Sequence, residues 1–219
     1  MKNSISIQIV SDVSCPWCII GYKSLQAAID ESGASNTVDL HWRPFELNPT
    51  MALEGQDRAE HLQQKYGGTE EQMAANRQAI QDRGLAEGYE FKFPKNGRVY
   101  NTFNAHRLIH WAAEFGLQTE LKLALFDLFF QQGGNPSDEA QLLDVVAAVG
   151  LDAESAKSVL GSNLYEKEVR ADQALSQQQG ISSVPAFIFN NKYMVSGGQP
   201  KETFINVLKQ LDEEAREAV

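Results

Sequence analysis

The sequence predicts an α/β protein in which a strand-helix-strand unit and a strand-strand-helix unit are separated by a long all-helical block. Three observations carry this. The alternating run Ile5-Ser6-Ile7-Gln8-Ile9-Val10 reaches Cys15-Pro16-Trp17-Cys18 after four residues and passes into a helix. Ala186-Phe187-Ile188-Phe189 and Tyr193-Met194-Val195 flank Asn190-Asn191-Lys192, a hairpin pattern, and an amphipathic stretch follows. From about Gln56 to Gln179 there is no convincing strand. Residues 1–55 and 180–219 are therefore expected to form one α/β domain, with 56–179 as a helical insertion.

Taken in order, the first helix carries Ile19, Ile20, Tyr22, Leu25, Ala28 and Ile29 at helical spacing, and Gly33 stops it. Val38-Asp39-Leu40-His41-Trp42-Arg43 alternates as a strand that Pro44 ends. Strand, helix and strand in this order make a βαβ unit with parallel strands. Asp57 to Tyr66 is polar and helical, and Gly67-Gly68 closes it. Thr69 and Gln72 have the spacing of a capping box for a helix running to about Gly84. Phe91 to Arg98, with Pro94 and Gly97, reads as a loop. Asn101 to Ala112 is a helix extending toward Gly116, and Thr119 to Gln132 is a strongly apolar one. Ser137-Asp138-Glu139 caps a helix ending at Gly150; a short helix over Asp152–Leu160 and a longer one over Asn163–Gln179 complete the block. Ser196-Gly197-Gly198-Gln199-Pro200 breaks the hairpin before the final helix from Lys201.

Cys15 and Cys18 are the only cysteines in 219 residues. At a helix N-terminus, unpaired backbone N–H groups and the helix dipole favour the thiolate, which is the reactive form. Pro16 suits the first helical position because its fixed φ matches and its missing N–H would be unpaired anyway. Cys18, one turn on, is near enough to close a disulfide ring. Thiol-disulfide exchange, inert buried thiols and half of a zinc site are the readings of such a pair. Zinc requires four ligands, and the four histidines show no ligand spacing beside a second cysteine pair, so no metal is expected.

A net charge of −10 argues against a general attraction to nucleic acid or anionic lipid. No apolar stretch approaches the roughly 18 residues of a membrane span; Leu121 to Phe130 is interrupted by Lys122 and Asp127. Met1-Lys2-Asn3 leads straight toward a strand without an apolar signal region, and the chain reads as cytoplasmic. In that reducing compartment a C-x-x-C is redox-active or metal-binding more often than structural.

The order βαβ, then ββα, with C-x-x-C at the first helix resembles the thioredoxin superfamily, and the all-helical insertion resembles its DsbA-like branch. Gly180-Ile181-Ser182-Ser183-Val184-Pro185-Ala186-Phe187 looks like that branch's cis-proline loop. Asp12 with Cys15-Pro16-Trp17-Cys18, the stretch Arg43 to Pro49, and Asn101-Thr102 with Ala105-His106-Arg107-Leu108 resemble the FrnE-like subgroup, akin to 2-hydroxychromene-2-carboxylate isomerases and kappa-class glutathione transferases. Ile19 departs from the aromatic residue many FrnE-like sequences carry there.

The resemblance implies a thioredoxin fold and a thiol-disulfide oxidoreductase, possessing disulfide isomerase activity as a further option, in which Cys15 attacks and Cys18 resolves the mixed disulfide. Pro16, Trp17, Val184 and Pro185 would line the substrate groove, and a cis Pro185 would expose the Val184 backbone for β-type pairing with a substrate chain. On the residues alone Pro185 also reads as an ordinary strand-entry proline; the resemblance favours the cis form. Trp17 is neutral, so the helix N-terminus carries most of the work of stabilising the thiolate, and a depressed but not extreme Cys15 pKa is expected. Asp12 is a proton acceptor or turn cap on one reading and a surface turn residue on the other. Thr102 and His106 sit on a helix that by resemblance lies over the site, where a histidine is either auxiliary or a satisfied structural side chain; His110 shares its face.

Protein or small-molecule thiols and disulfides are the expected partners, the protein acting as a monomer or homodimer, with no resident cofactor and glutathione open as a co-substrate. A glutathione-dependent isomerase or transferase on the same fold is the alternative, although such enzymes do not need the second cysteine. A chaperone using the groove without redox chemistry is a third reading.

Overall fold

The computed structural model describes residues 4–33, 38–94 and 96–217; Met1-Lys2-Asn3 and Lys95, within two of the stretches read above, lie outside it. The elements run β1 (Ile5–Ser11), α1 (Pro16–Ser32), β2 (Val38–Pro44), β3 (Gln56–Asp57), α2 (Arg58–Tyr66), α3 (Glu70–Ala86), β4 (Arg98–Val99), α4 (Phe103–Ala112), α5 (Gln118–Phe130), α6 (Glu139–Ala148), α7 (Ala153–Leu160), α8 (Glu166–Gln178), β5 (Ala186–Phe189), β6 (Tyr193–Ser196) and α9 (Lys201–Glu217).

A four-stranded sheet of order β2-β1-β5-β6 joins the two ends of the chain. β1 and β2 are parallel, with Ile5 opposite Val38, as strands joined by a helical crossover are. β5 runs antiparallel to β1, with Ile7 opposite Phe189. The β5–β6 hairpin turns at Asn190 and Asn191, whose φ values of 49° and 54° lie in the left-handed region that asparagine tolerates. α1 and α9 pack together, while α4, α5 and α8 lie against β2. The sequence thus builds an α/β thioredoxin-type sheet with a helical block inserted between its halves.

Local chemistry sets the helix starts. Thr69 and Gln72 form the reciprocal capping box of α3, and Asp57, Asp138 and Asp152 each accept a backbone N–H at the start of α2, α6 and α7. One part of the helical block departs from expectation: Gln56–Asp57 and Arg98–Val99 pair as a two-residue antiparallel ladder. Segments that short have no readable alternation, and their pairing is a tertiary event.

One anchor fixes the helical block to the sheet and a second ties its own helices together. The Trp42 amide donates to Gln118 Oε1 at 2.8 Å and its indole N–H to Thr119 Oγ1 at 3.0 Å, tying the start of α5 to β2. Arg107, buried on α4, donates to the carbonyls of Val159, Ser162 and Leu164, which satisfies the end of α7. Phe126 and Phe130 of α5 complete the interior, Phe126 against Trp42 and Phe130 against Phe91.

Gly21 controls how close α1 comes to the rest of the sheet. A Cβ there would stand 2.9 Å from Phe187 Cζ and 3.2 Å from the Gly198 Cα. Gly21→Val is expected to destabilise the protein by about 2 kcal/mol through overpacking, read as a lowered urea midpoint with an unchanged slope. A parent-like midpoint would mean that α1 has room to spare over Phe187.

Candidate active site

Cys15 is the N-cap residue of α1 and Pro16 its first helical residue, so the chain enters the helix at the first sulfur. The turn before it is closed by the Cys15 amide donating to the Asp12 carbonyl at 3.2 Å. Cys15 is 4% exposed and Cys18 is fully buried; both are free thiols. The Val184–Pro185 peptide is cis, and the Cys15 sulfhydryl donates to the Val184 carbonyl at 3.6 Å. Residues 169 positions apart are thereby brought together. Trp17 faces outward, its inner edge against Gly198, and Pro16 and Val184 are half-buried.

Asp12 is not a surface residue. It is 1% exposed, accepting the Ser14 amide at 3.1 Å through one oxygen and the Leu47 amide at 2.7 Å through the other. His106, 2% exposed on α4, brings Nε2 to 3.7 Å from Asp12 Oδ1, beyond hydrogen-bond range, and that nitrogen has no hydrogen-bond partner. Burial pushes the Asp12 carboxyl up, but His106, the Leu47 amide and the Lys122 charge together hold it below its ordinary value. Thr102 is buried at the start of α4, its carbonyl accepting the His106 amide; among the described residues no hydrogen bond joins it to either cysteine.

The residue sequence reasoning missed is Lys122. It lies on α5 with 1% exposure, its ammonium 5.0 Å above the Phe126 ring and 5.4 Å above Trp42, donating to the Ser11 carbonyl at 3.4 Å. Burial lowers its pKa to about 8, against the opposing pull of Cys18, Asp12 and Cys15. A lone lysine interrupting an apolar helix was the available signal. Tyr66, exposed at the end of α2, has its hydroxyl pKa raised by partial burial and, to a lesser degree, by the charge of Cys15.

These surroundings reverse the expected order of the two thiols. The Cys15 pKa is raised, first by its interaction with the Cys18 sulfur, then by burial, with Asp12 adding repulsion. Burial also pushes Cys18 up, but the Cys15 sulfhydryl, the Ser11 hydroxyl and the Lys122 charge outweigh it, and its pKa is lowered. The pair's first negative charge therefore rests on Cys18, and the lowered Cys15 value expected from helix placement is not found. The helix N-terminus acts on both sulfurs, while Lys122 favours one of them.

A family model for the DSBA-like thioredoxin domain matches residues 6–209. The chain belongs to the DsbA-like thioredoxin family. The crystal structure of the probable DsbA oxidoreductase SCO1869 from Streptomyces coelicolor superposes with a TM-score of 0.87 at 32% identity, over 94% of this chain and 89% of that one. The cytosolic disulfide reductase DsbM from Pseudomonas aeruginosa, solved with GSH, shares the fold at a TM-score of 0.64 and 18% identity, over 94% of this chain and 98% of its own. The uncharacterized protein YwbO of Bacillus subtilis (strain 168) is 29% identical over 204 residues, 92% of this chain and 94% of that protein. The DsbA-like fold and the sheet that carries Cys15 thus extend through nearly the whole chain.

Burying a cationic Lys122 costs stability, with a defined pH signature. Its folded pKa of about 8 lies below the ordinary 10.5, so the penalty is full below pH 8 and fades as pH rises to 10.5. Lys122→Met is expected to raise the stability of the reduced protein at pH 7 by about 1 to 3 kcal/mol. The advantage over the parent should shrink steadily toward pH 10.5 in urea titrations. A difference that does not change with pH would show that the lysine is not charged in its buried position.

Proposed function

We propose that the protein is a dithiol-disulfide oxidoreductase acting on protein or small-thiol disulfides, with Cys15 as nucleophile and Cys18 as resolving thiol. The observation that carries this reading is the asymmetry of the pair. Cys15 keeps slight exposure beside the outward-facing Trp17 and donates to the Val184 carbonyl, whereas Cys18 is fully buried. An incoming disulfide can reach only the first sulfur, and only the second is placed to displace it.

Loss of the Cys15 proton to solvent produces the attacking Cys15 thiolate. Cys15 then attacks one sulfur of the substrate disulfide, forming a mixed disulfide and expelling the other sulfur as thiolate. Having no S–H left to give, Cys15 releases the Val184 carbonyl, which becomes free to accept a substrate amide in β fashion. Cys18 gives its proton to the substrate thiolate released in the first step and attacks Cys15 Sγ; the internal disulfide forms and the second substrate sulfur leaves as a thiolate. One disulfide is reduced and one formed.

This reading assigns substrate contacts to Pro16, Trp17, Val184 and Pro185, places Asp12 and His106 beneath the pair as auxiliaries, and leaves Thr102 a supporting role in α4. It treats residues 1–55 and 180–219 as the thioredoxin domain and 56–179 as the insertion. Among the described residues no helix is long and apolar enough to cross a membrane. Together with the cytosolic DsbM likeness, this supports a cytoplasmic setting, in which glutathione is the natural thiol co-substrate.

Insulin reduction with dithiothreitol or glutathione tests the proposal. Cys15→Ser should lose activity by at least about a hundredfold, and Cys18→Ser should accumulate a mixed disulfide visible as an adduct in intact-protein mass spectrometry. Parent-level turnover by Cys15→Ser would remove the assignment, and glutathione bound tightly and non-covalently by the double-serine variant would favour a transferase instead.

A further inference from the structure

Val184 belongs to the loop that follows α8, and Cys15 to the turn that follows β1. Local structure does not fix their separation, so the contact between the Cys15 sulfhydryl and the Val184 carbonyl needs a tertiary spacer. The segment from Arg43 to Leu47, at the end of β2, reaches both sides. On the cysteine side the Phe45 amide donates to the Ser11 carbonyl at 3.2 Å and the Leu47 amide to Asp12 Oδ2 at 2.7 Å. Both acceptors belong to the stretch that leads into Cys15.

On the other side the segment grips α8 with two buried charges. Arg43, 7% exposed, donates through Nη1 to Gln179 Oε1 at 2.8 Å and through Nη2 to Ser176 Oγ at 3.0 Å. Glu46, equally buried, accepts on Oε2 from Gln173 Nε2 at 3.0 Å and from Arg170 Nη1. Arg170, Gln173, Ser176 and Gln179 recur every three residues, which places them along one face of α8 and its cap. α8 ends at Gln179, and Gly180, with φ at 77°, turns the chain toward Val184. Phe45, between the two charges, packs with Val184 against the apolar cluster of Val10, Ile181, Ala186 and Ile188.

Buried charges are a costly way to hold a helix. One Arg43 nitrogen, Nε, and one Glu46 oxygen, Oε1, are even left without a hydrogen-bond partner. Apolar contacts would cover the end of β2 but let α8 slide along it; directed hydrogen bonds to charged groups fix its position.

We propose that Arg43 and Glu46, with Arg170 as the counter-ion of Glu46, are positioning residues that hold the Val184 carbonyl in register with Cys15 and thereby favour substrates whose disulfide lies in an extended peptide chain. The proposal deepens the exchange reading above and rests on it, since there the Val184 carbonyl accepts a substrate amide. Among the described residues no hydrogen bond joins Arg43, Glu46 or Arg170 to either sulfur. A displaced loop therefore leaves attack on a bare disulfide intact and weakens the main-chain contact that a peptide adds.

Two substrates separate positioning from general damage: a disulfide-bridged peptide, and hydroxyethyl disulfide, which has no amide. The reduced protein is mixed with each over a range of concentrations and quenched with acid. Mass spectrometry of the internal disulfide then gives a limiting rate and a half-saturating concentration. Arg170 is half exposed, so its variants do not depend on repacking the core. Arg170→Met keeps an apolar side chain over the Phe103 ring, 3.8 Å from the guanidinium, and removes the charge. It should raise the half-saturating peptide concentration roughly three- to tenfold, the worth of about one hydrogen bond, and change the hydroxyethyl disulfide reaction by less than about twofold. Arg170→Lys should recover most of that loss. Glu46→Gln should behave as Arg170→Met does, and so should Arg43→Lys, which loses the fork shared by Gln179 and Ser176. An Arg170→Met protein that matches the parent on the peptide, loses the same factor on both substrates, or is not rescued by lysine would overturn the positioning role and leave exchange intact. A parent that forms no internal disulfide with either substrate would overturn the exchange reading itself.

Discussion

Everything at this site follows from excluding water behind Cys18. A thiolate exposed to solvent can rely on water to balance its charge; one that is fully buried has only its neighbours. Asp12 and Lys122 meet that need with opposite signs, and neither is comfortable alone: burial opposes ionisation of both, and each is kept charged by the others. The cluster is a set of mutually dependent charges rather than a salt bridge, since Lys122 forms no ion pair with Asp12 among the described residues and instead rests on two aromatic faces. Such an arrangement shifts its balance when one member changes charge, and forming the disulfide removes one member entirely.

The two halves of the chain are held so that this balance can act on a substrate. β1 lies between β2 and β5, so the strand that leads to Cys15 is fixed from both sides. The approach of α1 to Phe187 and Gly198, possible because residue 21 has no side chain, sets Trp17 beside the Gly198 backbone. The Leu47 amide reaches back to Asp12, which ties the segment after β2 to the turn before Cys15. Each of these contacts joins the redox motif to a segment distant in sequence.

Much of this was legible from local pattern. The alternation of Ile5 to Val10, the Thr69–Gln72 cap and the Asn190-Asn191 turn each depend on neighbours in sequence, and each appears where the pattern places it. The nature of Asp12 was not legible, because a carboxylate in a turn reads the same whether solvent or Leu47 faces it. The Cys15 pKa was misjudged for a related reason. Helix placement is visible in sequence, but what sets the order of the thiols, the interaction of the two buried sulfurs first and the Lys122 charge after it, is tertiary. Lys122 itself was visible only as a break in an apolar run, and nothing nearby in sequence says that its side chain turns inward to Ser11.

The position of Lys122 changes what the helical insertion is for. A helical block that only covered the groove could be altered freely wherever it does not touch substrate. Here α5 supplies a cation that helps to lower the Cys18 pKa, α4 supplies the imidazole facing Asp12, and β2 holds α5 in place through Gln118 and Thr119. The electrostatics of Cys15-Pro16-Trp17-Cys18 are therefore set in part by residues a hundred positions away. A DsbA-like sheet with an unchanged C-x-x-C but a different residue at the α5 position would keep the geometry of attack and alter the charge behind it. The four-residue motif identifies where exchange occurs, and the insertion fixes the proton and charge conditions under which it occurs.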